Sequence, residues 1–178
     1  MKYKLGELID SESKKFDFSK KASVMFVNTG DVFDGKITGV ELQVDKLPGQ
    51  AKKSIRNGDI LFSEIRPKNK RFALVDNLDV ENYVVSTKLM VLRNKKTDLL
   101  NIKYMYYFLT SPVMIEYLQN EAEGRSGTFP QITFKENIAN ILIDLPALEE
   151  QEKIINKLDA LDNKLQINKQ LNDNFVIA

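Results

Sequence analysis

The stretch PALEEQEKIINKLDALDNKLQINKQL, residues 146–171, decides how the chain is organised, because it predicts one long helix. Glutamates in its first turns suit the positive end of a helix dipole. Along the helix, apolar and then asparagine side chains recur at alternating spacings of four and three residues, which is the repeat of a helix that pairs with another helix. The members of this seam are Ile154, Leu158, Leu161, Leu165, Asn168 and Asn172. We interpret them as dimerisation residues.

The length of this helix argues against burial on its own domain. A helix from residue 147 to about residue 175 would be ~43 Å long at 1.5 Å per residue. A domain built from residues 1–145 is only about that wide. We therefore expect residues 146–178 to form a projecting spacer and dimerisation helix with a coiled-coil partner. The alternative is a helix that folds back over its own sheet.

Residues 1–145 predict one α+β domain with a mixed or mostly antiparallel sheet, since strand patterns fill the first half and helices enter later. An Asn57-Gly58 pair predicts a tight turn before a strand. The expected strands are residues 24–28, 36–44, 59–65, 72–76, 88–93 and 140–146. The expected helices are residues 5–9, 99–109 capped by Asp98, a helix from 112 that ends before 124, and a short helix after Thr133.

The composition excludes several classes of function. The chain has no cysteine and no histidine, so it lacks thiolate metal sites and nucleophiles paired with histidine. It also shows no phosphate-binding glycine loop and no membrane-length apolar run. We expect a cytoplasmic, non-catalytic protein without metal, cofactor or membrane. A nuclease centre at Asp59, Glu64 and Arg66 is a weak alternative, because such centres need convergent carboxylates.

Positive charge is concentrated in one part of an almost neutral chain. Residues 46–71 hold eight Lys and Arg against two Asp and Glu, whereas the net charge of the whole chain is +1. Such a block favours a surface that binds polyanions, although a solvated loop would show the same pattern.

Four segments, taken in order, resemble a known family. They are LGEL at 5–8, NGDILFSEIRP at 57–67, GRSGTFPQIT at 124–133 and ANILIDLPALEEQEKIINKLDALDNKL at 139–165. Together they resemble the DNA-specificity (S) subunit of type I restriction-modification systems. The resemblance covers essentially the whole chain, and the last segment is its most specific part.

The resemblance implies a role in reading DNA. A full S subunit has two target-recognition domains, each followed by a helix, and the two helices pair as a spacer. It assembles with adenine-methylating M subunits and ATP-driven R subunits. This sequence has one domain and one helix, so we expect a half-subunit, natural or truncated, that pairs with a second copy to read an interrupted palindrome. The alternative is a coiled-coil scaffold or partner-binding module without sequence-specific DNA contact.

Two segments combine the basic and amide side chains that DNA recognition needs. The first is a basic connection between two strands, and the second is a glycine-containing loop. Two lysines before them could add contacts to phosphates. The predicted DNA-binding residues are Arg66, Lys68, Asn69, Lys70 and Arg71; Arg125, Ser126, Thr128 and Gln131; and Lys52 and Lys53.

Overall fold

The computed structural model describes residues 1–125 and 130–176, and short strands build most of the domain. The helices are α1 (Leu5–Leu8), α2 (Ile102–Thr110), α3 (Pro112–Arg125) and α4 (Leu148–Val176), with a π-helical turn at Phe134–Ile138. The strands are β1 (Lys2–Lys4), β2 (Ile9–Glu12), β3 (Ser23–Val27), β4 (Val32–Phe33), β5 (Lys36–Ile37), β6 (Val40–Gln43), β7 (Ala51–Ser54), β8 (Ile60–Ser63), β9 (Phe72–Leu74), β10 (Tyr83–Ser86), β11 (Leu89–Asn94) and β12 (Leu142–Asp144). The predicted α+β class is confirmed.

Two four-stranded sheets carry the fold. One has the order β6-β3-β10-β7, and the other has the order β2-β11-β8-β9. Strands β10 and β3 are parallel, whereas the other pairs in both sheets are antiparallel. The first sheet is therefore mixed, as the sequence predicts.

Alternating side chains in the second sheet separate two hydrophobic layers. Ile60 and Phe62 of β8 face the helices, while Leu61 between them faces the other sheet. Met90 and Val91 of β11 divide in the same way. This alternation follows from the two-residue period of a strand. The domain thus stacks helices, sheet and sheet in that order.

The LGEL segment forms α1 and lies against the π-helical turn. A Cβ added to Gly6 would approach the side chain of Ala139 to 3.0 Å and its carbonyl oxygen to 3.1 Å. The Gly6 amide donates to that same carbonyl at 2.9 Å. Only glycine allows this close backbone approach, which explains its place in the segment.

Three differences from the sequence predictions concern α2, α3 and residues 36–44. Helix α2 begins at Ile102 because Asn101, not Asp98, accepts from the Lys103 amide as its cap. Helix α3 continues through Gly124 to Arg125 instead of ending before Gly124.

The third difference lies in residues 36–44, which were predicted as one strand. This stretch divides into β5 and β6, and the two strands join different sheets.

A buried glutamine attaches the start of helix α4 to the domain. The Gln151 side chain is fully buried. Its Oε1 accepts from the Asn101 amide at 2.9 Å, and its Nε2 donates to the carbonyls of Leu99 and Pro146, each at 2.8 Å. Two of these bonds fix the first turn of α4 to the residues just before α2, and the third, to Pro146, closes the start of α4 itself.

The docked face of α4 and the predicted seam are different faces of one helix. Gln151 and Ile155 are buried, and Asp159 contacts α2. Seam residues Ile154 and Leu158 are half-buried. Because an α-helix turns by about 100° per residue, the seam lies roughly a quarter turn away from the docked face. Docking on α2 therefore leaves the seam accessible.

The distal half of α4 projects from the domain. Residues 161–172 are all exposed, and Leu161 and Leu165 of the seam are 56% and 58% exposed. Asn168 and Asn172 are exposed as well. The expectation that the helix projects beyond its own domain is confirmed for this part of α4.

Candidate nucleic-acid interface

The basic connection between β8 and β9 is a short 3₁₀ turn at Pro67–Asn69 with left-handed residues at both ends. Arg66 has φ 47° and Lys70 has φ 53°, whereas Pro67 between them is buried. Lys68, Asn69 and the two left-handed residues are exposed. The turn therefore presents three cationic side chains and one amide to solvent on a fixed backbone.

The two predicted DNA-binding segments are neighbours in space. The Arg66 amide donates to the Pro130 carbonyl at 3.1 Å, and the Ile132 amide donates to the Glu64 carbonyl at 2.8 Å. These bonds form an antiparallel bridge between Ile65 and Gln131. The Gln131 side chain also donates to the Glu64 carboxylate at 3.0 Å. Residues more than 60 positions apart in the chain thus lie side by side, next to the basic turn.

Helix α3 supports this surface from behind. The buried Gln119 accepts a hydrogen bond from the Lys68 amide at 3.1 Å and donates to Glu123 at 2.7 Å. Gln119 is not predictable from the sequence, because a lone glutamine in a helix carries no local signal of such a role. Its bond fixes the backbone of the basic turn.

Arg71 and Lys53 have partners within the protein. Arg71 Nη1 donates to the carbonyls of Gly30 at 2.6 Å and Thr29 at 3.4 Å. Lys53 Nζ donates to the Leu89 carbonyl at 2.8 Å. Burial lowers the pKa of the Lys53 ammonium, an effect that the nearby Glu64 carboxylate opposes. Both residues stay predicted DNA contacts, but each also stabilises the fold beside the turn.

The other predicted DNA contacts lie either on β7 or outside the described residues. Lys52 is exposed on β7, next to Lys53. Ser126 and Thr128 lie outside the described residues, as does the side chain of Arg125. Their contribution to the surface stays a prediction.

The carboxylates of the alternative nuclease centre are engaged separately. Asp59 is buried and accepts two hydrogen bonds from Arg93, at 2.8 and 2.7 Å. Glu64 instead pairs with Gln131. Among the residues that the structure describes, no group of three acidic side chains could hold a metal ion. Asp59 therefore stabilises the core through a buried ion pair.

Comparison with known families gives the context for this surface. A family model described as "Type I restriction modification DNA specificity domain" matches residues 1–174. The chain belongs to this family. The resemblance seen in its motifs is thereby confirmed.

One relative of this specificity domain is the type I restriction enzyme HindI specificity subunit of Haemophilus influenzae. The two are 45% identical over 171 residues, which cover 96% of this chain and 37% of that protein. Proteins named in this way are the non-catalytic components of type I restriction-modification enzymes. The specificity domain spans well under half the length of this relative.

Solved structures share the fold. The HsdS subunit of Thermoanaerobacter tengcongensis matches 96% of this chain and 44% of its own, with a TM-score of 0.77 at 24% identity. A chain from a study of assembly and conformational transition in the type I R-M system matches the same shares, with a TM-score of 0.76 at 25% identity. The fold of the specificity domain is thus that of a target-recognition domain followed by a long helix.

A helix that crosses a bilayer must be both long and apolar. Across residues 1–125 and 130–176, no helix meets both requirements.

Proposed function

We propose that this specificity domain reads DNA for a type I restriction-modification complex whose M subunits methylate adenine and whose R subunits cleave with ATP. The hydrogen-bonded junction of residues 64–66 with residues 130–132 carries the proposal, because it joins both predicted DNA-binding segments. Family membership and the specificity-subunit name of its relative support the same role. The complex would act in the cytoplasm, where its DNA lies.

The surface offers two kinds of contact. Arg66, Lys68 and Lys70 are exposed cations on a fixed turn, suited to phosphates. Asn69 and Gln131 carry amides that can pair with adenine edges, and arginine can pair with guanine. Phosphate contacts would position the domain, and amide and arginine contacts would read bases.

Helix α4 supports pairing with a second copy. Its distal seam is exposed over residues 161–172, while a separate face is docked on α2. Asn168 and Asn172, buried in such a seam, would restrict the register and the number of paired helices. Two domains held apart by a rod of about 40 Å could reach half-sites one DNA turn apart, roughly 34–36 Å. Twofold symmetry then requires an interrupted palindrome.

Adenine methylation should be mapped genome-wide in cells that carry the M subunits, with and without this chain. We expect methylation at one interrupted palindrome only when the chain is present. A site with unequal halves would contradict the homodimer, and unchanged methylation would contradict the DNA-reading role. An Arg66→Ala, Lys68→Ala double variant is the control for the proposed surface, and its methylation should be reduced at the same site.

The exposed seam also fits a second candidate, a scaffold that pairs through α4 without sequence-specific contact to DNA. Binding of labelled duplexes by the chain together with an M subunit separates the two candidates. A scaffold would leave the affinity of the M subunit equal for all duplexes, whereas a DNA reader makes it depend on sequence.

A further inference from the structure

The hairpin of β4 and β5 presents an aromatic side chain to solvent. Val32 pairs with Ile37, and Phe33 pairs with Lys36. Between them, Asp34 has φ 44° and Gly35 has φ 86°, so two successive left-handed residues make the tight turn typical of two-residue hairpins. Val32 is fully buried, whereas Phe33 is 55% exposed.

Backbone bonds hold this hairpin against the basic turn. The Asp34 amide donates to the Lys70 carbonyl at 2.8 Å, and the Gly35 amide donates to the Phe72 carbonyl at 3.0 Å. Behind the turn, a Cβ on Gly35 would meet the Tyr106 hydroxyl at 3.1 Å. The exposed ring is therefore carried on a backbone that is fixed from two sides.

Cations surround the hairpin tip. Lys36 is exposed opposite Phe33, and Lys70 Nζ lies 3.5 Å from the Asp34 carboxylate, whose charge it offsets. Arg71 donates to Gly30 at the base of the hairpin, and Lys68 is exposed on the same basic turn. An exposed aromatic ring among lysines fits a ligand that combines a polyanion with apolar groups, and double-stranded DNA is such a ligand.

We propose that Phe33 is a specificity-determining residue that contacts a thymine methyl group within the recognised half-site. The methyl group lies on the major-groove edge of each A·T pair, and phenylalanine makes apolar contact with it. The target of an adenine methyltransferase always contains such a pair. This inference rests on the proposed DNA-reading function and adds a residue that neither predicted segment contains.

The absence of tryptophan from the chain permits a direct test. In Phe33→Trp the only tryptophan of this chain reports on the hairpin tip, and the same complex with the unaltered chain gives the background emission of the M subunits. In the matched control Leu142→Trp, it reports on β12, which belongs to a different sheet and where Leu142 is 64% exposed. Each variant is assembled with the M subunits and titrated with a duplex that carries the methylated site. We expect the emission of Phe33→Trp, but not of Leu142→Trp, to change on binding.

Replacing thymine by uracil in the same duplex removes only the methyl groups. We expect Phe33→Ala to weaken binding to the thymine duplex by about tenfold, as loss of buried aromatic area implies. We also expect uracil to weaken binding by the unaltered protein and to leave Phe33→Ala unaffected. An unchanged melting temperature of Phe33→Ala would separate this effect from misfolding.

Three outcomes would overturn the proposal. Full-affinity binding with silent Phe33→Trp emission would place the ring away from DNA. If uracil weakened binding by the unaltered protein and by Phe33→Ala to the same extent, the methyl contact would belong to another residue. If an acidic peptide such as polyglutamate changed the emission and the site duplex did not, the ring would belong to a protein interface. Complexes that bind no duplex at all, including the Leu142→Trp control, would reject the DNA-reading function itself.

Discussion

The phenolic hydroxyl of Tyr107 on α2 donates a hydrogen bond of 2.5 Å to the carboxylate of Asp159 on α4. Lys103 Nζ lies 2.8 Å from the same carboxylate, and the Tyr107 hydroxyl lies 3.0 Å from an Asp162 oxygen. Charge-assisted bonds of this kind are stronger than neutral ones. Together with Gln151, they fix the direction in which α4 leaves the domain.

Asp159 should make the stability of the domain depend on pH in the acidic range. Burial opposes ionisation of Asp159, but hydrogen bonds from Lys103 and Tyr107 outweigh it and lower the pKa of the carboxyl. Because the folded pKa is depressed, the stabilisation is complete above the unfolded pKa of about 3.9 and is lost as pH falls below it. We expect Asp159→Asn to reduce the free energy of unfolding by about 1 kcal/mol at pH 7.

Urea unfolding between pH 2 and pH 7 measures this difference. The difference in free energy of unfolding between the unaltered protein and Asp159→Asn should shrink as pH falls through the range in which the Asp159 carboxyl becomes protonated. Asp98→Asn, which changes the same charge at an exposed position, serves as the control and should show little difference at any pH. A gap for Asp159→Asn that stays constant down to pH 2 would contradict the role of the ionised carboxylate.

Gln151 should be the most sensitive position of the junction. Gln151→Ala would remove three hydrogen bonds of a fully buried side chain and leave the Leu99 carbonyl and the Asn101 amide without this partner. We expect a loss of about 2 kcal/mol or more in the free energy of unfolding, since each lost hydrogen bond contributes about 0.5–1.5 kcal/mol. The neighbouring Glu152→Ala, at an exposed position, should stay within about 0.5 kcal/mol of the unaltered protein. Equal midpoints for both variants in urea would show that the junction does not depend on Gln151.

Substitutions of Arg66 and Arg71 should separate the effect on DNA binding from the effect on stability. Arg66 is exposed, whereas Arg71 donates to the carbonyls of Thr29 and Gly30. We expect Arg66→Ala to flatten the dependence of log K on log salt by about 0.9 while melting stays unchanged. Arg71→Ala should lower the melting temperature, because two carbonyls lose their donor. If Arg66→Ala left the salt slope unchanged, Arg66 would not be a phosphate contact.

The distal seam of α4 should control assembly. Replacing Leu161 and Leu165 by glutamate places four like charges in the interface of a helix pair, so we expect the mass in solution to fall from two chains to one. Asn163→Glu with Gln170→Glu adds the same charge on the opposite face of the helix and should leave the mass unchanged. Light scattering measures both variants. A single-chain mass for the unaltered protein would contradict pairing between copies.

Local patterns were sufficient for several elements of the fold. The apolar run of β8, the Asn57-Gly58 turn and the α1 segment all carry signals within a few residues. Strand β7, with the sequence AKKS, has no such signal and is a strand because β10 supplies its hydrogen bonds. The start of α2 depends in a similar way on Gln151, which bonds Leu99 and Asn101 from 50 or more residues away.

The candidate interface likewise contains residues that local patterns predict and residues whose roles depend on distant contacts. Composition alone identified the exposed cations at Arg66 and Lys70, because runs of charge reach solvent in most folds. The carbonyl partner of Lys53 and the support from Gln119 depend on contacts between distant segments, which no local pattern encodes. Phe33 was not predicted because it lies between the expected strands 24–28 and 36–44, in a segment of turn residues where a single phenylalanine gives no signal of a binding role.

The pairing of β1 with β12 has a consequence for synthesis on the ribosome. Lys2 lies opposite Asp144, and Lys4 lies opposite Leu142, so β1 has no partner strand until residue 144 has been made. At about 5–20 residues per second, this delay is on the order of ten seconds. During that interval α1 also lacks the carbonyls of Ala139 and Ile141 that accept from its first amides. The nascent domain thus closes at its amino-terminal edge only when residue 144 has emerged from the ribosome.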